Sequence, residues 1–237
     1  MINFITLKWG KKYGPEYVNR LYTSIKKHYK KPFTFTCITD DSEGLECDTK
    51  PLSILSRDNH VAVFTSEKLQ LYKMYNKGKY CLLDLDILVI NDLERYFEEY
   101  DFSEPRFILN RWQNHSRIYT SFFSSDCFIN SSFVTWRDNQ LEWLYDEFIK
   151  FLPIIKYRYR TVDKFVFYRS FDKLKFHPEG MVYAYSFGAV NEIDVEPYKY
   201  RPEYSIVLFH TSHKKPKGIE LHDATGWAKE MWLSHDS

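Results

Sequence analysis

Apolar positions in this chain change their spacing several times, and each change marks an element. Ile2 to Leu7 is a short apolar run, followed by Lys8 to Gly14 with two glycines and then by Pro15. Proline is tolerated in the first turn of a helix, where its missing N–H would have had no partner anyway. From Tyr17 onward Val18, Leu21, Tyr22, Ile25 and Tyr29 recur at helical intervals, with Lys26, Lys27 and Lys30 between them, which predicts an amphipathic helix ending near Pro32. Phe33 to Thr39 alternates and is β-branched or aromatic, a strand that stops at Asp40 and Asp41. The opening therefore reads strand, helix, strand.

Ser42 to Phe64 is irregular and polar; Thr65 or Ser66 can then cap a helix carrying Leu69, Tyr72 and Met74, stopped by Gly78. Tyr80 to Ile90 is a near-continuous apolar run, the pattern of a central strand covered on both faces, interrupted by Asp84 and Asp86. Beyond it, Phe107–Leu109 and Cys127–Trp136 read as strands, and Leu141–Leu152 and Val162–Phe171 as helices. Met181–Phe187 and Ser205–His210 read as late strands and Asp223–Leu233 as a closing helix. Alternating helices and strands favour an α/β layer architecture. No internal repeat and no glycine- or proline-rich linker divides the 237 residues, so one domain over 1–237 is expected.

Composition narrows the function. Lys and Arg total 33 against 32 Asp and Glu, a net charge of +1, which leaves no global field to attract nucleic acid or an anionic membrane. Neither G-x-G-x-x-G nor G-x-x-x-x-G-K-[ST] occurs among the eight glycines, so a phosphate site must be built in another way. Cys37, Cys47, Cys81 and Cys127 show no zinc-ligand spacing and read as buried reduced thiols. No apolar window is long enough to span a membrane and no secretion signal precedes the first strand, which points to a cytoplasmic protein.

The chemistry concentrates at Asp84 and Asp86. In a strand, side chains two apart project to the same face, so the two carboxylates can converge. Burying one unpaired carboxylate costs several kcal/mol, and two together cost more. A hard divalent cation such as Mg²⁺ or Mn²⁺, which also binds a substrate diphosphate, would remove the difficulty. The other reading is that Asp84 ends the strand and caps a turn while Asp86 pairs with a nearby Lys or Arg.

Several segments resemble, in order, the GT-A nucleotide-sugar glycosyltransferases, particularly the glycogenin-like family 8 enzymes. Glu67-Lys68-Leu69 followed by Tyr80-Cys81-Leu82-Leu83-Asp84-Leu85-Asp86-Ile87-Leu88-Val89-Ile90-Asn91-Asp92-Leu93 resembles the family's K-L helix and its D-x-D-x-x-V-x-x-[ND]-[IL] segment. Phe4-Ile5-Thr6-Leu7 with Tyr13 resembles its opening strand and uracil-stacking tyrosine. Phe128-Ile129-Asn130-Ser131-Ser132-Phe133-Val134-Thr135-Trp136 resembles its F-N-S-G-[VM]-x-x-[WF] strand, and Phe209-His210 with Lys214-Lys215-Pro216 its late H-x-x-G-x-x-K-P segment.

The resemblance implies a GT-A (Rossmann-like) fold with a mixed central sheet flanked by helices. It implies a metal-dependent transferase that moves a sugar from a nucleoside-diphosphate sugar, most simply a UDP-sugar, to a glycan or small-molecule acceptor. Asp84, Asp86 and His210 would hold Mn²⁺ or Mg²⁺, His210 having also the reading of a structural histidine. Thr6, Tyr13, Asp40, Lys68, Asp84 and Lys215 would contact the donor, and Asn130 the acceptor. Tyr13 can equally be core or surface, Lys68 and Lys215 solvated lysines, and Asp40 a turn cap. Asp163 falls where the family carries an Asp-Gln pair, but Lys164 replaces the Gln, Ser132 replaces a glycine, and the late segment lacks its glycine. An inverting enzyme would need a carboxylate as general base, and Asp126 or Asp163 is the natural candidate. Trp9, Trp112, Trp136, Tyr157 and Tyr159 can form a sugar-stacking groove or core, and Lys156 to Arg160 can meet an anionic acceptor or solvent.

Two other functions compete. A non-catalytic carbohydrate- or nucleotide-binding protein on a degenerate transferase scaffold fits the departures at Lys164 and Ser132. A haloacid-dehalogenase-like phosphatase also uses an apolar strand ending in D-x-D, but Leu88 stands where that motif carries Thr and no later paired-acid motif follows.

Overall fold

The computed structural model describes residues 1–53, 67–110, 127–159, 161–170, 172–188, 196–209 and 218–236, with 153–158 as backbone only. The apolar run at the start forms β1 (Ile2–Lys8), and Pro15 opens α1 (Pro15–His28) as its spacing predicts. Then come β2 (Phe33–Thr39), β3 (Asp48–Pro51), α2 (Glu67–Met74), β4 (Lys79–Leu83), β5 (Ile87–Val89) and α3 (Glu94–Glu99). The second half supplies β6 (Arg106–Leu109), β7 (Ile129–Arg137), α4 (Glu142–Arg158) and α5 (Val162–Ser170). It closes with β8 (Lys175–Phe176), β9 (Val182–Ala184), β10 (Ile206–Leu208) and α6 (Trp227–Leu233).

The central sheet is mixed, in the order β3-β2-β1-β4-β7-β6-β8. β1 pairs in parallel with β2 and β4, while β7 runs antiparallel to β4 and β6. A second sheet has the order β5-β10-β9. Both faces of the central sheet are covered, as the fully buried neighbours Phe4 and Ile5 require. Phe4, Cys81 and Leu83 pack with Val18 and Ile25 of α1, Ala228 and Trp232 of α6, and the second sheet. Ile5 and Leu82 face the other way, against Leu69 and Tyr72 of α2, Leu144 and Phe148 of α4, and Phe165 and Val166 of α5.

One expectation is corrected here. Tyr80 to Ile90 is not one strand: the chain leaves the central sheet after Leu83, passes through Asp84, Leu85 and Asp86 outside any strand, and re-enters in the second sheet at Ile87. The strand-alternation argument for the two acids therefore does not hold. A doubly covered strand offers no solvent or partner to a pair of carboxylates, whereas a turn at the sheet's edge does.

Smaller differences follow the same logic. The stretch read as irregular contains β3, whose four residues are all exposed at the sheet edge, so no apolar pattern announces it. The late strands are shorter than their apolar runs, and the closing helix starts at Trp227 after a 3₁₀ turn over Leu221–Asp223. All four cysteines are free, with Cys37 and Cys81 buried and Cys47 and Cys127 half-buried; burial pushes the Cys37 and Cys127 thiols up to about 12. Among the described residues no helix is long and apolar enough to cross a membrane.

Candidate active site

β1, β2 and β4 are parallel, so their carboxyl ends open on one edge of the sheet, the place where open α/β sheets bind ligands. A cavity of about 500 Å³ lies there, lined by Trp9, Lys12 and Tyr13 after β1, by Lys68 of α2, and by Asp84, Leu85 and Asp86 after β4. Its size is in the range of small-molecule sites, about 300–1,000 Å³.

The acidic turn is held from two sides. The Asp84 N–H donates to the Ser132 carbonyl of β7 (2.8 Å), and the Phe209 N–H donates to the Asp86 carbonyl (2.9 Å). Leu85 between them is 3% exposed and anchored in the core. One acid is thus tied by its backbone to β7 of the central sheet and the other to the residue after β10 of the second sheet, and both line the same cavity.

Lys68 is 7% exposed. Its Nζ donates to Asp84 Oδ2 at 2.6 Å and lies 3.4 Å from the Ser131 carbonyl oxygen and 3.5 Å from Ser131 Oγ. Burial alone would lower the lysine pKa, but Asp84 first and Asp163 next outweigh it and the net shift is upward, which keeps the ammonium charged. Ser131 in turn donates through N–H (3.2 Å) and Oγ–H (2.5 Å) to Asp163 Oδ1 at the start of α5. Burial raises the Asp163 carboxyl, against the opposing pull of Lys68.

Asp86 is only partly compensated, by the more distant charges of Lys68 and Lys12. Burial, and then the charge of Asp84, push its carboxyl up to about 7. Among the described residues it forms no ion pair; its Oδ2 accepts from the Tyr13 hydroxyl at 3.5 Å. Burial and the same acids raise the Tyr13 hydroxyl, so the phenol stays protonated. Two carboxylates on one turn, one of them without a direct ion-pair partner among the described residues, fit a hard divalent cation. Among the described residues no cluster of three His, Cys, Asp or Glu surrounds them; His210 lies outside those residues, as do Lys215, Asp126 and Trp112.

The remaining expectations sort by place. Thr6 is fully buried and its hydroxyl donates to the Leu83 carbonyl at 2.8 Å, tying β1 to the end of β4. Asp40 is exposed, and its carboxylate accepts from the Gly10 N–H (3.2 Å), the turn-holding alternative of its two readings. Asn130 is half-buried, and its Oδ1 accepts from the Ser132 N–H at 2.8 Å. Trp9 lines the cavity, whereas Trp136 is fully buried, stacked on Tyr80 and bonded through Nε1 to the Tyr75 carbonyl (2.9 Å), and Tyr159 packs on Phe165.

Two features of the site carry no sequence signal: the hydrogen-bonding role of Ser131 in β7, and Glu220. The latter pairs with Lys12 at 3.1 Å beside Tyr13, and only the fold brings residues so distant in sequence together.

Comparison with known structures agrees with this architecture. The chain aligns over 99% of its length with 96% of a galactosyltransferase, LgtC, solved in complex with donor and acceptor sugar analogues, at a TM-score of 0.63 and 14% identity. It also aligns with the glycosyltransferase GlyE of Streptococcus pneumoniae TIGR4 (99% of this chain, 60% of GlyE, TM-score 0.62, 12% identity). The bifunctional glycosyltransferase WbbM covers all of this chain with 52% of its own (TM-score 0.60, 10% identity). No family model matches the sequence, and no curated protein matches it. The fold is that of these glycosyltransferases, the GT-A fold that the sequence resemblance implies.

Proposed function

We propose that this protein is a glycosyltransferase that takes its sugar from a nucleoside-diphosphate sugar, in the simplest case a UDP-sugar, and delivers it to a hydroxyl of a glycan or small molecule. The observation that carries the reading is the turn Asp84–Asp86, set at the carboxyl edge of the sheet in a cavity beside Tyr13 and backed by the charged Lys68.

In the transfer, the bond between the anomeric carbon and the diphosphate oxygen breaks and the acceptor oxygen bonds to that carbon. The acceptor proton goes to a base and the nucleoside diphosphate leaves. Asp84 and Asp86, with His210 as the further ligand implied by the resemblance, would hold Mn²⁺ or Mg²⁺. When bound, such an ion stabilises the negative charge that develops on the leaving diphosphate. Lys68 adds a buried positive charge on the same side, and Lys215 is the second basic candidate. Tyr13, which lines the cavity, would stack on the base, with Thr6 and Asp40 supporting the strand end and loop that carry it. Asp163, or Asp126, is the proposed base for the acceptor hydroxyl, with Asn130 on the acceptor side.

A screen of nucleotide sugars for hydrolysis, each with Mn²⁺, Mg²⁺ or EDTA, tests this. At least one nucleoside-diphosphate sugar is expected to be cleaved, with the metal required. Nucleotide binding without turnover of any donor would instead identify a binding protein on this scaffold.

A further inference from the structure

Ser131 occupies the middle of the buried polar chain and is 2% exposed. It accepts and donates in a fixed direction. An ammonium can only donate, so Ser131 Oγ accepts from Lys68 Nζ (3.5 Å), and its single proton is directed to Asp163 Oδ1 (2.5 Å). The Ser131 N–H donates to the same oxygen at 3.2 Å. Asp163 Oδ1 is thereby occupied twice from one residue, while Oδ2 makes no hydrogen bond among the described residues.

Resting on the glycosyltransferase reading above, we propose that Ser131 is a positioning residue for sugar transfer. It holds the Asp163 carboxylate ionised, turns its second oxygen toward the acceptor hydroxyl, and links that orientation through Lys68 to Asp84. A carboxylate that is to take a proton must arrive unprotonated and correctly turned. The groups facing Asp163 pull in opposite directions: Lys68 favours the ionised form, whereas Asp84, the Tyr72 hydroxyl of α2 and the Cys127 thiol beside β7 contribute no cation, and Lys164 follows on α5. Ser131 adds two hydrogen bonds on the ionised side. A hydrogen bond to a charged group is stronger than one between neutral groups, and here burial and a neighbouring acid oppose ionisation.

Ser131→Ala keeps the backbone bond and removes the hydroxyl; Ser131→Thr keeps both. With the donor found in the screen, Ala is expected to lower kcat on the order of tenfold, leave the donor KM within about twofold, and move the acidic limb of the kcat–pH profile upward. Thr is expected to restore both the rate and the limb. An Ala variant with the parent's kcat and profile, or a loss that Thr does not restore, overturns the proposal.

A second readout separates this from the functional reading. The Asp163 carboxyl is followed by ¹³C NMR titration in the parent and both variants. An upward-shifted titration in Ala but not in Thr supports the hold of Ser131 on Asp163; the same result with no nucleotide sugar turned over keeps that hold but overturns its role in transfer, together with the transferase reading. Identical titrations in all three proteins overturn the proposal even if the enzyme is active.

Discussion

Lys68 Nζ stands 2.6 Å from Asp84 Oδ2, and the two residues come from different elements, α2 and the turn after β4. The Lys68 side chain is 8% exposed and that of Asp84 is 22% exposed, so this is an ion pair largely removed from water. Such a pair is a weak source of net stability, but removing one partner strands the other.

Lys68→Met should therefore lower the unfolding free energy by about 3–5 kcal/mol, because Asp84 and Asp163 would face each other with no cation between them. Denaturant melts of the single variant and of Lys68→Met/Asp84→Asn test it. The double variant is expected to recover a substantial part of the loss; equal losses in both would place the cost in packing rather than charge.

Asp86→Asn removes a charge without changing volume. It should leave the fold intact and, without added metal, be at least as stable as the parent, because a buried carboxylate beside Asp84 is gone. The rise in Tm that Mn²⁺ confers on the parent should vanish in the variant. A variant stabilised by Mn²⁺ as much as the parent would remove Asp86 from the ligand set.

His177 should make the fold sensitive to acid, alongside His235 and His28, whose burial lowers them in the same direction. It is 3% exposed; its Nε2–H donates to the Phe133 carbonyl (3.1 Å) and its Nδ1 accepts from the Tyr96 hydroxyl (2.7 Å). Burial first of all drives its pKa down to about 3. The unfolded chain takes up this proton near about pH 6.5, so stability is complete above that pH and falls as pH drops toward the folded value, by up to about 1.4 kcal/mol per pH unit. His177→Gln should be less stable at pH 7.5 yet lose less between pH 6.5 and 4. An unchanged slope would assign the acid sensitivity to other groups.

Trp136 tests the division between core and groove. Its ring is fully buried against Tyr72 and Tyr80, so Trp136→Ala should cost about 3–5 kcal/mol. Trp9, which lines the cavity, should behave in the opposite way: Trp9→Ala should change nucleotide binding with little effect on the denaturation midpoint. Both are checked by urea melts and a nucleotide titration.

Sequence periodicity made β1, α1 and β2 legible nearly residue for residue, because Phe4 and Ile5, and the Val18–Leu21–Ile25 face, are buried in a pattern that spacing alone encodes. The edge strand β3 was invisible, since its pairing with β2 is carried by backbone and its side chains are all exposed. The Tyr80–Ile90 run misled in an instructive way. Apolar residues on both sides of the acids belong to two different sheets, and a linear pattern does not distinguish one strand from two joined by a short turn.

At the site, Asp84, Asp86, Lys68 and Tyr13 were all identified in sequence, and the fold brings them around one cavity. The Ser131–Asp163 bond and the Lys12–Glu220 pair were not legible, because each joins residues whose proximity depends on tertiary packing.

Calorimetric titration of the intact protein with UDP, in Mn²⁺ and again in EDTA, weighs the proposed site most directly. Tight binding in Mn²⁺ that collapses in EDTA, and that Asp86→Asn abolishes, is the predicted result. Nucleotide binding of equal strength with and without the ion, or unaffected by loss of the Asp86 charge, would contradict a cation-assisted diphosphate site at this turn.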